Sequence, residues 1–130
     1  MLTGEARSQI ASGFVSLHSK YYGRGPTKSK VYGEADLVVV VLEETFTPAE
    51  RTLIAHGQSE DIQRIRRNFQ TILADQFRAL IEQATGRKVR SFTSETDLEN
   101  DIAVEVFLLA EEWTDMASFE KAGEHVPDQA

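Results

Sequence analysis

The six residues from Leu37 to Leu42 (LVVVVL) constrain the fold of this chain more than any other stretch. All six are aliphatic and four are valine, and β-branched side chains favour a strand. Successive side chains of a strand point to opposite faces of its sheet, so a run that is apolar at every position is apolar on both faces. Such a strand is predicted to be central in its sheet, or else to be covered on its second face.

A glycine-rich elbow and a second predicted strand come before this apolar run. The sequence Gly-Arg-Gly-Pro at positions 23–26 ends a helix, and the proline prevents the helix from resuming. Lys28 to Gly33 then predicts a strand with Val31 on one face. Lys28, Lys30 and Tyr32 lie on the other face, and residues 34–36 are short enough for a hairpin turn.

The order of these features occurs twice in the chain. In the first half, a helix ends at Gly23-Arg24, and a basic strand, an acidic turn and the apolar strand follow. In the second half, a helix ends at Gly86-Arg87, and a basic strand, an acidic turn and the strand from Ile102 to Leu109 follow. The order αββ-αββ predicts an α+β two-layer sandwich, in which the helices pack on one face of a four-stranded antiparallel sheet.

Two helices are predicted between the halves. Thr47-Pro48-Ala49-Glu50 combines an N-cap, a proline at the first helical position and a glutamate that reaches back to the Thr47 amide. Ser59 is predicted to cap a second, long helix that ends at Gly86. We expect Arg64, Arg66 and Arg67 to lie on its exposed face in pairs within the helix.

A chain of 130 residues favours a single domain, which we place at residues 1–110. Residues 111–130 form an acidic tail of net charge −5. The spacing of Trp113, Met116 and Phe119 predicts one short helix there, followed by disorder. The second face of the sheet must be covered by this tail, by another protomer or by a partner, and we expect a homodimer.

Composition excludes several classes of function. The chain has no cysteine, so disulfides, cysteine-ligated zinc and thiol catalysis are excluded. Its net charge of −7 disfavours nucleic-acid binding. No apolar run approaches the roughly 20 residues of a membrane span, so we expect a protein of the cytoplasm or of the membrane periphery. With no catalytic or cofactor motif recognised, we predict no enzyme activity and no cofactor.

The elbow is the strongest candidate for a binding site. Backbone amides of a glycine-rich turn, beside several basic side chains, could hold a phosphate or a carboxylate. The candidate anion-binding residues are Arg24, Gly25, Thr27, Lys28 and Lys30. The alternative is a helix stop followed by a solvated strand face. The stretch is not a P-loop, because it precedes a strand rather than a helix.

A weaker candidate is the acidic turn with Asp97, Glu99 and Asp101. These carboxylates alternate as in calcium loops, but the glycine and the distal glutamate of such loops are missing. The turn is therefore a weak cation-site candidate, and the alternative is a solvated turn shaped by Asp97. The three histidines lie far apart and share no metal-binding spacing.

Four segments carry a resemblance to a known family. They are the segments YGRGPTK at 22–28, TPAE at 47–50, TGRKV at 85–89 and DIAVEVF at 101–107. In this order they resemble the MpsC-like family of small bacterial proteins over residues 5–110. The resemblance implies an accessory role in a sodium-translocating, membrane-potential-generating system, and therefore a membrane transport protein as a partner. It carries over no catalytic residue.

Two hypotheses of function follow. The first is a non-enzymatic accessory or regulatory module that dimerises and binds a protein of a cation-translocating membrane system. The second is a sensor of a small anion, phosphate or carboxylate, that binds at the elbow from Gly23 to Lys30.

Overall fold

The four strands form one antiparallel sheet in the order β1-β2-β4-β3, and the helices lie on one face of it. The computed structural model describes residues 2–110. The predicted α+β sandwich is confirmed. The elements in chain order are α1 (Gly4–Tyr22), β1 (Lys28–Glu34), β2 (Leu37–Glu43), α2 (Pro48–Ala55), α3 (Ser59–Thr85), β3 (Val89–Asp97) and β4 (Ile102–Leu109).

The helix starts of α1 and α2 follow from their capping residues. The Thr3 hydroxyl accepts the Ala6 amide at 3.0 Å. Ahead of α2, the Thr47 hydroxyl accepts the Glu50 amide at 3.2 Å, and the Glu50 carboxylate accepts the Thr47 amide at 2.9 Å. These reciprocal bonds satisfy amides that have no partner within a helix.

The predicted cap of α3 is wrong by one residue. Ser59 is the first helical residue, and the N-cap position is Gln58, whose side chain makes no capping bond. The negatively charged side chains of Glu60 and Asp61 lie in the first turn instead, where their interaction with the positive end of the helix dipole stabilises the helix.

Both long helices end at a glycine in the left-handed conformation. Gly23 has φ 82° and donates its amide to the Ser19 carbonyl at 3.1 Å. Gly86 has φ 70° and donates its amide to the Glu82 carbonyl at 2.8 Å. Glycine adopts this conformation without the steric cost of a Cβ atom.

The arginine that follows each of these glycines fixes the end of its own αββ unit. Arg24 donates from Nη1 to the Phe46 carbonyl at 2.8 Å. Arg87 donates from Nε to the Ala110 carbonyl at 2.7 Å. Phe46 and Ala110 follow β2 and β4, so the two halves share this contact as well as their order of elements.

The core lies between the helices and the sheet. Strand β2 pairs with β1 on one side and with β4 on the other, which confirms its predicted central position. The Phe14 and Phe77 rings of α1 and α3 stack at 4.8 Å between centroids. The fully buried apolar side chains of this core include Ile10, Val38, Val40, Leu42, Leu73, Ile81, Ala103 and Phe107.

Arg66 is buried, and its predicted place on the exposed face of α3 is wrong. Its side chain is 2% exposed. It forms a two-pronged ion pair with Glu50 of α2, with Nε–Oε2 2.7 Å and Nη2–Oε1 2.6 Å. Its guanidinium also lies 4.3 Å from the centre of the Tyr22 ring. The predicted pairing within the helix holds for Arg64 and Asp61, which form an exposed pair at 3.1 Å.

Thr45 links this ion pair to the end of the sheet. Its hydroxyl accepts Arg66 Nη1 at 3.2 Å and donates to Asp101 Oδ1 at 3.0 Å. Asp101 also accepts the amides of Thr45 and Phe46. The resulting network (Asp101, Thr45, Arg66 and Glu50) joins the β3–β4 turn to α2 and α3.

Two further titratable groups are buried under the helices. Glu105 of β4 is 2% exposed, and Oε2 of its carboxyl group has no hydrogen-bond partner among residues 2–110. Burial raises the pKa of Glu105 to about 7, although Ser94 and Arg66 partly oppose this. His18 of α1 is 3% exposed, and burial lowers its pKa to about 4.

The buried ion pair makes Glu50 a key residue for stability. Replacing Glu50→Gln leaves the Arg66 charge buried and uncompensated, so we expect a loss of about 3 kcal/mol in the free energy of unfolding. The matched control is Asp61→Asn, which breaks the exposed pair with Arg64 and should cost less than about 1 kcal/mol. Urea denaturation at pH 7 measures both. Equal losses for the two variants would contradict the assigned burial.

Glu105 should make stability depend on pH. The pKa of this carboxyl group is about 7 in the folded state and 4.5 in the unfolded state. The unfolded state therefore loses the proton first, and stability falls as pH rises from about 4.5 to about 7. Relative to wild type, Glu105→Gln should gain on the order of 2–3 kcal/mol across that window. The lowered pKa of His18 makes stability rise with pH, the opposite of the Glu105 effect. Because wild type and Glu105→Gln both contain His18, this contribution cancels in the difference between them. A pH-independent difference would contradict this assignment.

Candidate functional site

A continuous apolar surface runs along the two central strands on the face of the sheet opposite the helices, with Glu43 of β2 at one end of it. The alternation of the strands that buries Val38 and Val40 under the helices directs their neighbours to this face. In the part of the chain that the structure describes, no element covers it. We call it the open face, and its seven aliphatic side chains are Leu37, Val39, Val41, Ile102, Val104, Val106 and Leu108.

The register between β2 and β4 joins these side chains into one surface. Val39 lies directly opposite Val106, and Val41 lies opposite Val104. Directly opposite side chains of an antiparallel pair share a face and contact one another. With strands about 4.8 Å apart and about 3.4 Å per residue, four strands of seven residues span about 450 Å². The two central strands, which carry the aliphatic side chains, account for about half of it, or about 230 Å².

Polar side chains from β1 and β3 border the open face on its two sides. Lys30 of β1 lies opposite Val41, and Glu95 of β3 lies opposite Val104. One row of side chains across the sheet therefore begins with the cation of Lys30, passes through Val41 and Val104, and ends with the carboxylate of Glu95. The other bordering side chains are Lys28, Tyr32 and Glu34 on β1 and Ser91, Thr93 and Asp97 on β3.

Arg24 and Gly25 of the predicted anion site have structural contacts. Arg24 donates to the Phe46 carbonyl. A Cβ atom on Gly25 would lie 2.6 Å from Ser19 Oγ and 3.1 Å from the Val15 carbonyl oxygen. Position 25 therefore requires glycine, because the elbow passes close to α1.

The other three residues of the predicted anion site are divided between backbone pairing and the open face. The Thr27 amide donates to the Glu43 carbonyl at 3.1 Å. The side chains of Lys28 and Lys30 are exposed and belong to the border of the open face. The anion site stays a prediction, and the structure assigns its two lysines to another surface.

The acidic turn does not bring its three carboxylates together as a metal site. Asp97 accepts the amides of Glu99 and Asn100 at 3.1 and 3.2 Å, and hydrogen bonds from Asn100 and then Glu99 lower its pKa. Asp101 belongs to the buried network and also receives Arg51 Nη2 at 3.3 Å. Within residues 2–110, no group of three or more His, Cys, Asp or Glu residues could hold a metal ion.

The charged row across the open face was missed from the sequence. Alternation alone places Lys30 on one face of β1, as predicted. The position of Glu95 at the opposite edge depends on the strand order β1-β2-β4-β3. That order follows from tertiary packing rather than from any local pattern.

The tail falls outside the described residues. The predicted short helix around Trp113 and the predicted disorder after it stay predictions. Among the helices of residues 2–110, none is both long enough and apolar enough to cross a membrane.

Comparison with known proteins gives one match. The family model described as "Na+-translocating membrane potential-generating system (MpsC)" matches residues 3–111, which include all seven elements of the fold. No curated protein and no solved structure matches the chain. The matched span covers most of the 130 residues and contains the four segments that carry the resemblance. The chain therefore belongs to the MpsC family.

Proposed function

We propose that this chain is a non-enzymatic accessory or regulatory protein of a Na⁺-translocating membrane system, and that it acts by binding protein through the open face. The observation that carries the proposal is the set of seven aliphatic side chains on the helix-free side of the sheet. The family description supplies the link to a membrane system. We place the protein in the cytoplasm, where it would reach such a system from the membrane surface.

Burial of the aliphatic centre of the open face would lower the free energy of the protein. Removing apolar surface from water yields about 25 cal/mol per Å², so the aliphatic centre of the open face, about 230 Å², favours a covered state. Its apolar centre and polar border also match the usual anatomy of a protein–protein interface. Tyr32, 53% exposed at the border, is of a type enriched at such interfaces.

The charges around the open face favour a protein over a lipid surface. Anionic membrane surfaces attract clusters of lysine and arginine. Here the two lysines, Lys28 and Lys30, are outnumbered by four carboxylates on the same face, those of Glu34, Glu43, Glu95 and Asp97, and the whole chain carries −7. A partner with a similarly mixed surface fits these borders better than a uniformly negative one.

We propose a non-catalytic role because the titratable groups with the largest pKa shifts are buried. Shifted pKa values in a cleft are a mark of catalytic sites. Burial raises the pKa of the Glu105 carboxyl group to about 7 and lowers the pKa of the His18 imidazole to about 4. Both side chains lie in the interior of the protein. A substrate would not reach them in this conformation.

The test places a charge at the centre of the open face. Val39→Glu should reduce co-sedimentation of the purified full chain with native membranes of its source organism at least tenfold, because the carboxylate would have to be desolvated on binding. The matched control is Ile72→Glu on α3, where the side chain is 70% exposed on the helical layer. This control should bind like wild type.

Two results would contradict the proposed function. One is equal loss of membrane binding by both variants, which would place the binding surface elsewhere. The other is full binding by Val39→Glu. Circular dichroism and urea denaturation show whether each variant keeps its fold, because a surface substitution in a strand should cost no more than about 1 kcal/mol.

A further inference from the structure

We infer that the open face binds the same face of a second copy of this chain, around a two-fold axis that lies in the interface and runs parallel to the strands. The inference rests on the proposed function, because it names a second copy of this chain as the protein bound at the open face, and the dimer is then the form that associates with the membrane system. It is carried by the charges at the two edges of the sheet.

The two-fold operation exchanges the edges of the sheet. Rotation about an axis parallel to the strands places β1 of one copy over β3 of the other and preserves position along the strand. Lys30 and Glu95 share one row of the sheet, separated by Val41 and Val104. Lys30 therefore faces Glu95 of the partner subunit, and the symmetry makes the same pair a second time.

The apolar centre of the interface matches under the same operation. Within the row, Val41 is carried over Val104 of the partner subunit, and in the next row Val39 is carried over Val106 of the partner subunit. Sheets that pack face to face lie about 10 Å apart with interleaved side chains. Valine and leucine on both sides give two surfaces of similar height.

The other in-plane two-fold axis, perpendicular to the strands, fits the charges less well. It places β1 over β1 and β3 over β3 and reverses position along each strand. Lys30 would then face Tyr32 of the partner subunit, and Glu95 would face Thr93 of the partner subunit. Lys28 would face Glu34 of the partner subunit, but neither Glu95 nor Asp97 would gain a cation in that arrangement.

The size of the open face predicts a reversible dimer. At about 450 Å² per copy, the pair buries about 900 Å², which is below the roughly 1,200 Å² of a small stable interface. Association should therefore depend on protein concentration in the micromolar range. With a dissociation constant in this range, the change caused by altering the two charge pairs can be measured.

The acidic tail is the competing occupant. Residues 111–130 carry −5, so their attraction to Lys28 and Lys30 could resemble that of a second copy. The two occupants differ at the other edge. A second copy brings a lysine to Glu95, whereas a covering tail brings acidic side chains that Glu95 repels.

The experiment measures self-association of the full chain by sedimentation equilibrium at low salt. Lys30→Glu and Glu95→Lys should each raise the dimer dissociation constant at least tenfold, since each places like charges opposite one another. An equimolar mixture of the two variants should recover the wild-type constant to within about threefold, because the heterodimer restores opposite charges at both sites.

Control variants separate local pairing from net charge. Arg67→Glu changes the net charge by the same amount as Lys30→Glu, and Asp75→Lys by the same amount as Glu95→Lys. Both control positions lie on the exposed side of α3. Both should dimerise like wild type.

Three results would overturn the inference. They are a wild-type chain that stays monomeric at every concentration, a Glu95→Lys variant that dimerises like wild type, and a mixture that does not recover. A monomeric chain whose Glu95→Lys variant shows a blue-shifted Trp113 emission would point to the tail as the occupant, since Trp113 is the only tryptophan. The proposed function fails separately: a wild-type chain that dimerises as expected but does not co-sediment with native membranes would contradict the membrane role and leave the dimer standing.

Discussion

The pairing of β2 with β4 at the centre of the sheet is the interaction on which the rest of the structure depends. The register that places Val40 opposite Glu105 also places Val39 opposite Val106. A slip of one residue would move every side chain of a strand to the wrong face, which would expose the core and bury the charged borders. One register therefore sets both the packing under the helices and the composition of the open face.

The buried polar network holds this sheet to the helices away from the open face. Asp101, Thr45, Arg66 and Glu50 join the end of the sheet to α2 and α3 through charge-assisted hydrogen bonds, which are stronger than neutral ones. The Arg24 and Arg87 contacts fix the ends of both αββ units. Because these contacts involve the helical side and the strand ends, the open face is formed before any partner binds. A preformed surface loses less conformational entropy on association.

Local patterns were sufficient for much of the fold but not for the binding surface. The apolar run Leu37 to Leu42, the cap at Thr47, and the Gly23 and Gly86 stops depend on near neighbours, and the sequence predicts each of them. Arg66 was misjudged, because its burial depends on Glu50 in another helix. The charged row was missed for a similar reason, since Lys30 and Glu95 meet the same face only once β1 and β3 occupy opposite edges. The lysines assigned to an anion site border that face.

The central claim is that a second copy covers the open face. An isotope-filtered nuclear Overhauser measurement on an equal mixture of ¹³C-labelled and unlabelled full chain tests it most directly, because only contacts between copies give signals. If a second copy covers the open face, we expect cross-peaks between the methyl groups of Val39, Val41, Val104 and Val106 in the labelled copy and the aliphatic protons of the unlabelled one. Absence of these cross-peaks at millimolar concentration, where about 900 Å² of contact with an aliphatic centre should hold the dimer together, would contradict it.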